Sequence, residues 1–79
     1  GGDEMGRFED SQEIITALNG FLETLSSVER GVFMRRYWSM EPVADIAARY
    51  GMSVPKTASM LHRMRGKLKT YLGKEGVSL

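Results

Sequence analysis

Cysteine is absent from the 79 residues, and histidine occurs once, as His62. Without thiols the chain has no disulfide framework and no thiolate metal site, which fits a reducing cytoplasm. A lone imidazole likewise leaves a zinc site or a catalytic triad without its parts. No catalytic residue, metal or cofactor is therefore expected. No apolar run approaches the ~20 residues that span a bilayer, and no signal peptide is visible. Alternating runs of β-branched residues are missing too, which argues against strands. Internal repeats and low-complexity tracts are also lacking. The length suits a single domain with a modest core. An initiator methionine is missing as well, since the chain starts Gly1-Gly2. Residues 1–9, glycine-rich and polar, are expected to be a disordered linker or a cleavage scar, the chain being a piece of something longer.

The net charge of +1 hides a polarity. Residues 1–29 hold Asp3, Glu4, Glu9, Asp10, Glu13, Glu23 and Glu29 against Arg7 alone, a balance of −6. Residues 30–79 hold Arg30, Arg35, Arg36, Arg49, Lys56, Arg63, Arg65, Lys67, Lys69 and Lys74 against Glu41, Asp45 and Glu75, a balance of +7. A basic half organised on helix faces suggests a polyanionic partner. Solvation of ordinary helices would account for the charges alone, but not for their place on one helix face.

Apolar periodicity predicts an all-α domain of four helices over residues 10–79. Ile14, Leu18, Phe21, Leu22 and Leu25 mark one face of the first, from Asp10 or Ser11. Asn19-Gly20 is a turn dipeptide inside it, but the periodicity runs straight through, at a cost of about 1 kcal/mol for the glycine. Ser26-Ser27-Val28-Glu29 is a capping box opening a second helix to about Tyr37, which should bury Val28, Val32, Phe33 and Tyr37. Tyr37 and Trp38 are expected to pack in the core or between helices. Ser39-Met40-Glu41-Pro42 connects to a third helix, with Pro42 at its entry. The fourth should end near Leu72, stopped by Gly73, leaving Lys74 to Leu79 to fray.

The last two helices carry the functional expectation. Val43 to Tyr50 is a short periodic run closed by Gly51, where the chain must turn and a positive φ suits glycine. Ser53 follows as an N-cap. Ala47 is small where two helices must cross, and Ile46, Tyr50, Met52, Thr57 and Met60 supply the packing between them. In the last helix Thr57, Met60, Leu61, Met64, Leu68, Tyr71 and Leu72 fall in one apolar stripe about 100° wide. Its other side carries Pro55, Lys56, Ser59, His62, Arg63, Gly66, Lys67 and Thr70. Helix, tight turn and longer helix in this register predict a helix-turn-helix. A plain helical hairpin would explain the stripe equally well, but not the basic face opposite it.

Several segments together resemble region four of bacterial RNA polymerase sigma factors. They are Leu25-Ser26-Ser27-Val28-Glu29-Arg30, Val32-Phe33, Arg36-Tyr37-Trp38, Ala44-Asp45-Ile46-Ala47, Gly51-Met52-Ser53 and the closing Arg63-x-Arg65-x-Lys67-Leu68. The likeness covers roughly Ile14 to Leu79, and the pattern from Ser26 to Leu68 also partly fits DNA-binding domains of LuxR-type response regulators. The resemblance implies recognition of the minus-35 promoter element in the major groove and docking on the flap of the polymerase β subunit, with anti-sigma factors as further partners. It does not extend to region two, which in that family melts the minus-10 element. Position 57 is usually valine or isoleucine there and is threonine here, with a hydroxyl to satisfy. Ala58 and Gly66 stand where basic residues are common.

Side chains on the first two turns of an inserted helix read base edges, and flanking cations and helix N-termini hold phosphates. The candidate base-reading residues are Val54, Pro55, Lys56, Ala58, Ser59 and His62. Ser59 and His62 offer hydrogen bonds, and Val54 or Ala58 an apolar contact for a thymine methyl. Arg36, Ser53, Arg63 and Lys67 are the phosphate candidates. A second expectation is that Ile14, Leu18 and Leu22 form part of a groove receiving a partner protein's helix, against the plainer one that they are the domain's own core.

Overall fold

Capping and periodicity account for most of the architecture seen in the computed structural model, which describes the backbone of residues 2–77 and the side chains of residues 12–77. Four helices follow in order: α1 (Gly2–Glu23), α2 (Ser27–Tyr37), α3 (Val43–Tyr50) and α4 (Val54–Lys74). Among the described residues there is no strand, and no helix is long and apolar enough to cross a membrane.

α1 begins at Gly2 rather than at Asp10 or Ser11. The helix passes through Asn19-Gly20 unbroken, as the periodicity predicts. Where it ends, the Thr24 hydroxyl donates to the Phe21 carbonyl at 2.6 Å. The Leu25 amide (3.2 Å) and Arg30 Nε (3.1 Å) both donate to the Leu22 carbonyl. Leu25 thus lies beyond the helix, yet is buried.

At the start of α2 the capping box is complete. The Glu29 amide donates to Ser26 Oγ (3.2 Å), and the Ser26 amide donates back to Glu29 Oε1 (3.0 Å). Two otherwise unpaired amides are satisfied by residues three apart, so this terminus is decided locally.

Phe21, Leu25, Val32, Phe33, Ile46, Leu61 and Met64 form one core with contributions from all four helices or their ends. Phe21 meets Phe33 edge-on at 5.8 Å and Tyr71 at 5.9 Å. Two close approaches hold the helices together. A Cβ at Gly31 would overlap the Tyr50 hydroxyl, and a Cβ at Gly20 would overlap that of Tyr71. Gly20, a turn signal in the sequence, is here the seat for a tyrosine from α4.

Three expected core residues are not in the core. Val28 is 44% exposed, because the apolar stripe of α2 continues into its first turn while the packed neighbours do not. Tyr37 packs its ring against Phe33 at 4.8 Å, tilted by 52°, but keeps 38% of its surface in solvent. Trp38 is 79% exposed: it follows the last residue of α2, where the chain turns away from the core. Met40, with φ 57°, carries that turn in the left-handed region without being glycine.

α4 also runs further than expected. It ends at Lys74 instead of Leu72, and Gly73 is helical and does not stop it. The closure comes three residues later. Gly76, at φ 72°, lets the Val77 amide reach the Leu72 carbonyl at 2.8 Å and leaves Val77 half-buried. Lys74 to Val77 therefore form an ordered helix end, while Ser78 and Leu79 lie outside the described residues.

Candidate nucleic-acid interface

The α3–α4 junction is built by backbone geometry. Gly51, at φ 63° and ψ 33°, closes α3 by turning its own amide to the Ala48 carbonyl (3.3 Å) and the Met52 amide to that of Ala47 (2.9 Å). Such a left-handed closure is nearly free for glycine and costly for residues with a Cβ. Two residues later Ser53 caps α4, its Oγ accepting the Lys56 amide at 3.2 Å. Pro55 sits in the first turn, where its missing amide has no helical partner to lose.

Packing then fixes which face of α4 meets water. Thr57, Leu61, Met64 and Leu72 are buried, with Met60, Leu68 and Tyr71 half-buried beside them. The stripe read from the sequence is the one that packs. The Thr57 hydroxyl, the departure from the resembled pattern, donates to the Ser53 carbonyl at 2.9 Å, so a wholly buried polar atom is satisfied within its own helix. Ile46 and Ala47 of α3 are buried against this face of the molecule's core.

Val54, Pro55, Lys56, Ala58, Ser59 and His62 are all exposed on α4, together with Ser53, Arg63 and Lys67. The same helix exposes Arg65, Lys69 and Lys74, which are not among the phosphate candidates. From Val54 to Lys74 there is no Asp or Glu to offset these cations. The first turn also lacks an acidic side chain, so the positive end of the helix dipole is uncompensated by its own helix. Together these place cations, and no acid of the same helix, along the exposed side of α4. The signal for the extra cations was present in the absence of acids between Asp45 and Glu75.

Arg36, the remaining phosphate candidate, belongs to α2 and not to α4. It is half-buried, and its Nη1 donates to the Glu41 carbonyl at 3.1 Å, bracing the α2–α3 connection. Glu41 is the centre of a small network that pattern reading missed. Its Oε1 lies 3.1 Å from Arg49 Nη2 and 3.5 Å from Arg35 Nη1, tying the end of α2 to the end of α3. The neighbouring Tyr50 hydroxyl and the Glu41 carboxylate push the Arg35 guanidinium above its ordinary pKa. Nothing in the sequence spacing marks Glu41 as such a centre, because its partners come from the two helices that its connection joins.

Leu18 and Leu22 pack against the domain's own core, and Ile14 is half-buried on the same helix. This is the plainer of the two readings for the pair of leucines. The most exposed large apolar side chains are Trp38 and Met40 (75% exposed), with Ile15, Val54, Val28 and Tyr37 exposed to a lesser degree.

No protein-family model matches the chain, and neither a curated protein nor a solved structure matches it.

Proposed function

We propose that the chain is a double-stranded DNA-binding helix-turn-helix domain of the kind found in region four of sigma factors, with α4 as the recognition helix. The observation that carries this reading is the exposed face of α4, which is basic, free of acidic residues and set behind a tight turn. An electropositive helix of this length can enter a major groove, present its first two turns to base edges and leave cations for phosphates on either side. In this reading Lys56, Ser59 and His62 hydrogen-bond to bases, and Val54, Pro55 and Ala58 make apolar contacts. Ser53 with the capped amides, Arg36, Arg63 and Lys67 hold the backbone. The function is promoter recognition in bacterial transcription initiation, at a minus-35-like element, in the cytoplasm. The polymerase β flap is the protein partner and an anti-sigma factor a further one.

The test is fluorescence anisotropy of labelled duplexes across a salt series, comparing a minus-35-like sequence with a scrambled control. About four phosphate contacts give a slope of log affinity against log salt of roughly −3 to −4. A preference for the promoter-like duplex is expected. Arg63→Ala should weaken binding about equally on both duplexes and flatten the slope by up to about 0.9. Absence of binding to either duplex at low salt would sink this reading.

A second reading is a protein-interaction module with little DNA affinity of its own. It is favoured by the exposed Trp38 and Met40, since Trp, Tyr, Met and Arg are the residues enriched where proteins meet.

A further inference from the structure

The cations of α4 are not equally available, and the reason is a carboxylate from another helix. Glu29 opens α2 and is half-buried there. Its Oε1 is held by the Ser26 amide at 3.0 Å, and its Oε2 faces Lys67 Nζ at 3.9 Å. Lys67 is otherwise exposed, and Arg63 stands one turn before it on the same helix. The Glu29 carboxyl lies below its ordinary pKa, held there first by the Ser26 amide, then by the Ser26 hydroxyl and the Lys67 and Arg63 charges, against burial, which raises it.

We propose that Glu29 is a built-in competitor for phosphate, which neutralises Lys67 and in part Arg63 and so limits how tightly that stretch of α4 grips a nucleic-acid backbone. The inference rests on the reading of α4 as a DNA-binding face. Two features make the competition effective. The capping box anchors the carboxylate, so it does not swing away when an anion approaches. A phosphate reaching Lys67 also arrives beside a fixed negative charge, and like charges at such range repel. The first turn of α4, where Lys56 lies, has no acidic side chain of its own. Between Lys56 and Lys67 the grip is therefore weighted toward the end of α4 that reads bases. Sequence-independent affinity is held down, and the ratio of specific to non-specific binding is raised.

Glu29→Gln tests this, because a glutamine at this position can still complete a capping box. In the anisotropy assay the variant should bind a scrambled duplex about two- to fivefold more tightly, the scale of an exposed ion pair. The salt slope should steepen by up to about 0.9 for each cation released. In an Arg63→Gln/Lys67→Gln background the same substitution should change neither quantity. An unchanged slope in the single variant would overturn the proposal, and so would an equal change in that background. A second comparison does not depend on Glu29→Gln folding. In the otherwise unaltered protein, Lys67→Gln should flatten the slope by clearly less than the roughly 0.9 of a full phosphate contact, and that full value would overturn the proposal. If no variant binds any duplex at low salt, the DNA-binding reading itself falls and the proposal with it; measurable binding without these differences refutes the proposal alone.

Discussion

Two glycines, both inside helices, should respond to alanine in opposite ways. Gly66 lies in the middle of α4 on the exposed face, and a Cβ there would have nothing within 4 Å. Alanine is favoured over glycine in a helix interior by about 1 kcal/mol, so Gly66→Ala should stabilise the domain by that amount. For a domain of this size that raises the melting temperature by about 4–8 °C. Gly31 in α2 has the same intrinsic preference, but its Cβ would overlap the Tyr50 hydroxyl and crowd the ring carbon behind it at 3.2 Å. Tyr50 is half-buried, with its hydroxyl beside Arg35, so yielding disturbs its packing against the core as well as the Arg35 contact. Overpacking of this kind costs about 1–3 kcal/mol. Subtracting the two variants cancels the helix-propensity difference, leaving Gly31→Ala about 2 kcal/mol less stable than Gly66→Ala. Thermal and urea unfolding followed by far-ultraviolet circular dichroism would measure both. Tyr50→Phe should recover part of the loss in the Gly31→Ala background, since it removes the overlapping oxygen but leaves the crowded ring. Equal stabilities for the two alanine variants would refute the α2–α3 contact, and destabilisation by Gly66→Ala would refute the open exposure of that face.

Three further outcomes follow from single features. The folded Glu29 carboxyl is more acidic than the unfolded one, so its contribution is complete above the unfolded pKa and lost as pH falls through the folded pKa; Glu29→Gln should flatten the acid limb of stability against pH, and an identical limb would refute the assignment. Met40→Gly should stabilise by about 1 kcal/mol in the same unfolding assay, because Met40 holds φ 57° with its side chain in solvent. Trp38, the sole tryptophan, should be quenched by acrylamide nearly as well in the folded protein as in urea, and strong protection would show it packed.

Local signals were legible because their partners lie within one turn of chain. The Ser26–Glu29 box, the Ser53 cap and the Gly51 closure each join residues no more than five apart, so no other part of the fold is needed to form them. The stripe of α4 was equally legible, since a helix buries whatever recurs every three or four residues. The exposed, acid-free face opposite it, which carries every candidate base-reading residue, followed from the same period.

Contacts between helices were decided by the tertiary structure alone. Periodicity says that a face is apolar, but not how far along it the neighbouring helices reach. Val28 and Trp38 are therefore exposed although each stands four residues from an apolar position of α2, Val32 and Met34. Gly20 carries a turn signal in the sequence, yet it serves as space for the Tyr71 hydroxyl, because the demand comes from a helix some fifty residues away. Glu41 and Glu29 read as ordinary surface acids. Only the crossing of α2 with α3 and α4 places Arg35 and Arg49 on one and Lys67 on the other, and such ion pairs depend on distances that spacing along the chain does not encode.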